Sequence, residues 1–320
     1  MNPINACCAE CGADGGVSLK TCKPCMLVRY CNTGCQRNHW PKHKQVCKRR
    51  AAELRDEALF KDPPAKEDCP ICFLPMPIKL VSCVSLPPAT VTVVPIHDFA
   101  IANAGMSNMT TETYYSCCGK SICAGCVYSF CESGNHDKCP FCNSDQGNKT
   151  VEERVEEIMK RVEANDPASM CVLGSNYYHG LLGLNQDREK ALELYARAAA
   201  LGSSDAHFQS GAIYDIGGDS KKSKFHYEAT AMAGHELARN ALGRIEFKSG
   251  NIERAVKHWT IAAAAGGYQS MHKLITFFEK GSSFVSRESI DTTLTAYNNY
   301  CAEMRSEARD AAISMLMVNN

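Results

Sequence analysis

Ser116 to Cys142 reads SCCGKSICAGCVYSFCESGNHDKCPFC, preceded by CPIC at Cys69 to Cys72. Cysteines with two residues between them, as in Cys69/Cys72, Cys123/Cys126 and Cys139/Cys142, aim two thiolates at one point. Two such pairs complete the tetrahedral sulfur shell that Zn²⁺ prefers. A third pair needs a fourth partner. The adjacent Cys117 and Cys118 supply it, with His136, Cys131 and Cys83 as substitutes, so the segment offers ligands for two sites.

This order of ligands resembles a RING domain, in which the first and third pairs share one zinc and the second and fourth the other. The resemblance implies one site of Cys69, Cys72, Cys123 and Cys126, and a second of Cys117, Cys118, Cys139 and Cys142. Two features depart from the family. Lys120 stands where most RING domains place a histidine, and an ammonium cannot ligate zinc, so an all-cysteine variant is implied. The 44 residues between Cys72 and Cys117 also form an unusually long loop. RING ubiquitin ligases grip the ubiquitin-conjugating enzyme through residues that match Ile71, Phe130 and Pro140, although packing over the zinc loops explains apolar residues there equally well. Active members often carry Arg or Lys just after the last cysteine, where this chain has Asn143.

Composition sets the frame. The chain has 320 residues, 20 cysteines and no formal net charge, so no global pull on nucleic acid or membrane is expected. All cysteines but Cys171 and Cys301 precede residue 143. The opening MNPINACCAECG lacks the apolar run of a signal peptide, so the thiols are expected to be reduced and metal-bound in the cytoplasm or nucleus, not secreted. No stretch approaches the roughly 20 apolar residues of a membrane span.

The first 50 residues carry a second ligand series: Cys8, Cys11, Cys22, Cys25, Cys31, Cys35, His43 and Cys47. Val17, Leu19, Met26, Leu27, Val28, Tyr30, Trp40 and Val46 are the only core material, too little to offset backbone ordering at about 1–2 kcal/mol per residue. Each structural zinc can supply on the order of 10 kcal/mol, so the module is expected to be unfolded without metal. With Tyr30 before the fifth ligand and Gln36, Trp40, His43 and Cys47 after the sixth, the pattern closely resembles the MYND zinc finger. The resemblance implies that Cys8, Cys11, Cys31 and Cys35 hold one ion and Cys22, Cys25, His43 and Cys47 the other, leaving Cys7 and His39 as bystanders. It also implies a docking role, because MYND modules bind short proline-containing peptides. Lys42, Lys44, Lys48, Arg49 and Arg50 form a basic run, but two dications and seven thiolates bring the module to only about +4. A solvated helix end is the expected reading.

AAELRDEALF at 51–60 is rich in helix formers and stops before Asp62-Pro63-Pro64, which reads as a spacer. The long loop contains VSLPPATVTVVPI, read as short extended pieces, then a polar GMSNMTTET tip. VEERVEEIMKRVE at 151–163 reads as a charged helix.

Beyond it the chain repeats. Tyr195, Tyr227 and Trp259 are 32 apart, as are Gly202, Gly234 and Gly266 and the series Ala206, Ala238 and Ser270. Small residues precede each turn glycine (Ala198-Ala199, Thr230-Ala231, Ala262-Ala263), and Gly174, Gly211 and Gly243 are expected to start corresponding segments. A fixed period near 30 predicts a solenoid of helix pairs with the aromatic ladder as core. The wording resembles Sel-one-like repeats, relatives of tetratricopeptide repeats; three are visible, and Ser270 to Gly281 looks like the first helix of a fourth. Ser210 and Ser223 mark the second repeat as divergent. Ile290, Leu294, Tyr297, Cys301, Met304, Ala308, Ala311 and Met315 form an apolar stripe, expected to be a helix capping the last repeat. Cys171 and Cys301 are expected to be buried thiols.

The expected architecture is mostly α, with two small cross-brace zinc modules followed by an α-α solenoid and a capping helix. Its segments are 1–50 (MYND-type finger), 51–67 (helical linker), 68–146 (RING-type finger), 147–167 (linker helix), 168–281 (repeats) and 282–320 (cap). The function implied is a ubiquitin ligase binding about four Zn²⁺, with a conjugating enzyme on the RING and protein partners or substrates on the MYND and repeat regions. The alternative is a non-enzymatic, zinc-dependent adaptor, favoured by Asn143, the altered ligand set and the long loop. Nucleic acid is an unlikely partner on charge grounds.

Overall fold

The computed structural model describes residues 7–13, 18–64, 66–76 and 112–318, with side chains to residue 312. The extended pieces and polar tip expected between residues 77 and 111, together with Cys83, lie outside the described residues, as does Val17. The chain divides into two compact units, Met1–Lys61 and Asp62–Asn320.

In the first unit, strands β1 (Lys20–Thr21) and β2 (Arg29–Tyr30) pair antiparallel, Lys20 opposite Tyr30. Helix α1 (Thr33–Leu59) starts where the Asn32 side chain accepts the Cys35 N–H at 2.9 Å. The separate linker helix expected after residue 50 is instead the second half of α1. Arg50 bridges Glu53 and Glu57 on its exposed face, so the charged stretch simply continues the helix. The buried groups here are Cys8, Cys22, Cys25, Tyr30, His43, Cys47 and Leu59, a core made largely of sulfur.

The second unit begins with a small finger. An isolated bridge pairs Asp68 with Pro75, and strands β3 (Glu112–Tyr115) and β4 (Lys120–Cys123) form a hairpin that leads into α2 (Ala124–Glu132). A bridge from Lys138 to Asp145 closes it. Helix α3 (Val151–Glu163) follows, with Thr150 and Glu153 forming a reciprocal capping box.

The repeats then run as α4 (Pro167–His179), α5 (Arg188–Ala200), α6 (Ser204–Ile216), α7 (Ser220–Met232), α8 (Glu236–Lys248), α9 (Ile252–Ala264) and α10 (Tyr268–Glu279). In α5 the positions Ala191, Leu194, Tyr195 and Ala198 share one helical face, and all four are buried. The aromatic ladder is core as expected, with Tyr195, Tyr227 and Trp259 at most 3% exposed. Gly202, Gly234 and Gly266 end α5, α7 and α9 at φ +92°, +89° and +88°, a backbone only glycine adopts freely. Gly174, Gly211 and Gly243, expected at segment starts, lie in the middle of α4, α6 and α8. A side chain at any of them would strike the ring of Tyr195, Tyr227 or Trp259. Their role is close approach between paired helices, not turning.

The single cap expected over 282–320 is two helices, α11 (Arg287–Glu303) and α12 (Glu307–Val318). Helix α11 packs on α9 and α10, burying Ile290 and Tyr297. The stripe breaks at Met304, and α12 turns away to lie on α2 of the finger. Cys171 and Cys301 are half-buried rather than buried.

Candidate metal centres

Four groups of donors emerge among the described residues: Cys8/Cys11/Cys31/Cys35, Cys22/Cys25/His43/Cys47, Cys69/Cys72/Cys123/Cys126 and Cys117/Cys118/Cys139/Cys142. Within each, all ligand atoms lie within 4.8 Å of one another. Zn–S bonds of about 2.3 Å meeting at the tetrahedral angle put neighbouring sulfurs about 3.8 Å apart. The observed separations are 3.6 Å for Cys11–Cys31, 3.8 Å for Cys22–Cys47, 3.7 Å for Cys69–Cys126 and Cys72–Cys123, 3.8 Å for Cys118–Cys139 and 3.7 Å for Cys117–Cys142. Disulfides, at about 2.05 Å, are excluded for these pairs. The donor sets therefore fit zinc. His136 and Cys131 belong to none of the groups, and Lys120 lies over the Phe141 ring at 4.8 Å.

One local device recurs. Four residues after the first cysteine of a pair, the backbone turns left-handed and its N–H donates at 2.9 Å to that cysteine's carbonyl: Gly12 (φ 73°) to Cys8, Met26 (φ 57°) to Cys22, Phe73 (φ 56°) to Cys69, Asn143 (φ 58°) to Cys139. The turn curls the chain round the ligand sulfurs, and backbone N–H groups such as that of Cys123 face them, at 3.5 Å from Cys69 Sγ. Burial pushes the Cys69 thiol up, but the N–H groups of Cys123, Cys72 and Ile71 outweigh it and hold it down to about 6. Where such donors are lacking, burial and then neighbouring sulfurs push Cys47 and Cys118 up to about 12. Four close thiolates without a cation cannot ionise together, and a dication reverses that balance. Asn143 accordingly sits where its residue type tolerates the backbone, a reason independent of any catalytic part.

In the first unit, Cys35, His39, His43 and Cys47 recur every fourth residue on α1, which delivers Cys35 to one group and His43 and Cys47 to the other. His39 was expected to be a bystander. Its Nδ1 pairs with the Tyr30 hydroxyl at 2.9 Å, and its ring stacks on His43 at 5.5 Å between centroids. Burial first, and His39 second, hold His43 below its usual range, favouring the neutral ring that a metal requires. The sequence offered one signal for this role, the i, i+4 spacing of the two histidines.

Around the finger, several supporting groups had no signature in the sequence. Arg161 of α3 donates to the carbonyls of Ser116 and Cys117. Gln146 Nε2 reaches Cys117 Sγ at 3.4 Å, and Ser144 Oγ lies 3.1 Å from Cys142 Sγ. Arg309 of α12 reaches the Cys72 side of the other group. Of the residues matched to conjugating-enzyme contacts, Ile71 is 41% exposed, while Phe130 and Pro140 are half-buried. No helix among the described residues is long and apolar enough to cross a membrane.

The family model of the MYND finger matches residues 8–47, and that of the Sel1 repeat matches 167–203 and 240–267. Among solved structures, the chain is similar to a Sel1 repeat protein from Oxalobacter formigenes, at 24% identity and a TM-score of 0.41 over 58% of this chain and 70% of that one. It is also similar to c5321, a protective antigen present in uropathogenic Escherichia coli strains and displaying an SLR fold, at 19% identity and a TM-score of 0.39 over 60% of this chain and 44% of that one. Residues 8–47 are thus a MYND finger, and the helical array that follows the second cysteine-rich segment carries Sel1 repeats.

Proposed function

We propose that the protein is a zinc-dependent ubiquitin ligase of the RING type, whose MYND finger and repeats select the proteins it acts on. MYND and Sel1 regions are protein-interaction modules, which supports a metal-dependent role in binding proteins. The observation that carries the finer reading is the interlocking of two four-cysteine groups, 69/72/123/126 and 117/118/139/142, about one hairpin and one helix.

In this reading no side chain does covalent chemistry. Fully ligated cysteine sites leave no open position on the metal, so zinc would be structural. The finger holds a thioester-charged conjugating enzyme through Ile71, Phe130 and Pro140 while a substrate lysine attacks, which is catalysis by orientation. On the MYND finger, Met26, Leu27, Trp40 and Val46 are exposed apolar groups that supply a surface for proline-containing peptides.

A non-enzymatic adaptor is the second reading. Asn143 favours it, since a neutral side chain stands where active RING ligases often carry a cation. Incubating the pure protein with ubiquitin, activating enzyme and a panel of conjugating enzymes separates the two. Ubiquitin chains that disappear with Ile71→Ala support the ligase; no chains across the panel, with four zinc equivalents confirmed, assign the protein to the adaptors.

A further inference from the structure

Arg309 stands 237 residues from Cys72 in the chain, on α12 beyond the last repeat, yet it lies against the finger's first zinc loop. It is only 7% exposed. Its Nη2 donates to the Pro75 carbonyl at 2.9 Å and reaches the Leu74 carbonyl at 3.5 Å and Cys72 Sγ at 3.8 Å. Its Nη1 donates to the Met304 carbonyl at 3.0 Å, which fixes the guanidinium from its own side. Cys123 of the same ligand group is a further neighbour of this guanidinium.

The approach depends on a missing side chain. Gly125, in the first turn of α2, lies beneath Arg309, and a Cβ there would meet Arg309 Cγ at 2.7 Å and its backbone nitrogen at 2.8 Å. Glycine in a helix costs about 1 kcal/mol relative to alanine. Here it admits α12 to the finger.

A dication held by four thiolates carries a net charge of −2, and burying that charge is costly unless it is paired. Arg309 brings one positive charge and fixed N–H donors to this group. At the Cys117/Cys118/Cys139/Cys142 group, neutral Ser144 and Gln146 reach the sulfurs, while Arg161 binds the Cys117 carbonyl. Groups that hydrogen-bond metal ligands and their loops typically change metal affinity by about 10–100-fold when removed.

We infer that Arg309 is a positioning residue for the Cys69/Cys72/Cys123/Cys126 zinc site, so that docking of α12 on the finger and retention of that zinc form one linked equilibrium. The inference rests on these cysteines binding metal and is independent of whether the finger recruits a conjugating enzyme. The solenoid's C-terminus thereby acts as a latch on the metal module, and displacing the latch loosens one ion out of four.

The test uses the full zinc-loaded chain, mixed with an excess of chromogenic chelator and a thiol-alkylating reagent. Zinc release is followed by absorbance, and the freed cysteines are located by peptide mass. Arg309→Met should release one zinc equivalent about 10–100-fold faster than the parent, with label appearing first on Cys69, Cys72, Cys123 and Cys126. Arg309→Lys should fall between the two. Gly125→Leu keeps the arginine but blocks the approach, and should accelerate the same equivalent. Parental release rates in both Arg309→Met and Gly125→Leu would overturn the inference. So would an equal acceleration of all four equivalents, which is general unfolding.

Discussion

Replacing Gly243 by alanine tests why the repeats carry glycine inside a helix. On propensity alone the change should stabilise α8 by about 0.8–1 kcal/mol. The structure opposes this. A Cβ at residue 243 would lie 2.5 Å from Trp259 Cδ1 and 2.9 Å from Cε2, with Nε1 also in its path. The indole cannot swing aside easily, because Trp259 is 2% exposed and packs against Phe247 and Phe277 at 5.9 and 5.4 Å between centroids. Overpacking a fixed core costs about 1–3 kcal/mol. Contact with three ring atoms places Gly243 towards the upper end, so the expected net loss is about 1–2 kcal/mol. Urea denaturation followed by far-UV circular dichroism measures it, with tryptophan emission as a second probe, since the chain has only two tryptophans and Trp40 lies in the other unit. The penalty should shrink in a Trp259→Leu background, a coupling that a double-mutant cycle isolates. A Gly243→Ala protein as stable as the parent, or more so, would refute the close-approach argument.

Three further outcomes are expected. Stripping metal with a strong chelator should unfold the MYND finger, whose core is chiefly sulfur, while the repeats stay folded: hydrogen exchange should lose protection over 20–47 and keep it over 191–198, and retained protection over 20–47 speaks against metal-dependent folding. Stability of the repeats should fall in acid, because burial holds His179, His207, His226 and His258 below their usual range, with His258 near 3. The unfolded chain then binds protons that the folded chain refuses, so stability is full above about 6.5 and declines below it; at pH 5 the buried His258 alone accounts for about 2 kcal/mol, and a flat profile of melting temperature from pH 7 to 5 refutes this. Finally, Asn143→Arg should cost about 1 kcal/mol, because arginine tolerates the left-handed backbone less well. It should nevertheless raise ubiquitin-chain yield if the finger works as an active RING; no gain in a zinc-replete variant favours the adaptor.

What the sequence made legible was whatever repeats or pairs locally. The spacing of Tyr195, Tyr227 and Trp259 exposed the solenoid because a recurring helix pair must place the same ring in the same packing site each time. The paired cysteines exposed metal sites because the chemistry demands four soft donors within a few ångströms. The left-handed turn that follows Cys8, Cys22, Cys69 and Cys139 was half hidden. Gly12 and Asn143 suit that backbone, whereas Met26 and Phe73 do not announce it, and the turn hydrogen bond to the cysteine carbonyl holds them there. The mid-helix glycines were visible but misassigned, since a glycine for turning and a glycine for contact look alike until the facing ring is known. The continuation of α1 through residue 50 is not evident from the motif, which ends at Cys47, although 51–60 reads as helical; Arg50 pairs with Glu53 and Glu57 across that point. Arg309 could not have been found, because a contact across 237 residues leaves no periodic trace.

Two arginines fasten the second cysteine-rich finger to helices at opposite ends of the repeat array. Arg161 precedes the first repeat and binds the carbonyls of Ser116 and Cys117 beside one ligand group, with Gly119 leaving room for its guanidinium. Arg309 follows the last repeat and binds beside the other. Tyr114 adds a third tie, its hydroxyl donating at 2.7 Å to Asp166, the residue that caps α4. The two arginines grip backbone carbonyls of the finger and Tyr114 reaches a helix-capping side chain, so each tie couples the finger to a helix end. For an enzyme that works by orientation such fastening matters, since misplacement by about 1 Å can cost 100-fold in rate. For an adaptor it would serve equally to present two binding surfaces at a fixed separation. In both cases the zinc sites and the repeats of Asp62–Asn320 act as one mechanical unit, and a lesion in α12 is expected to be felt at a metal site 237 residues away in the chain.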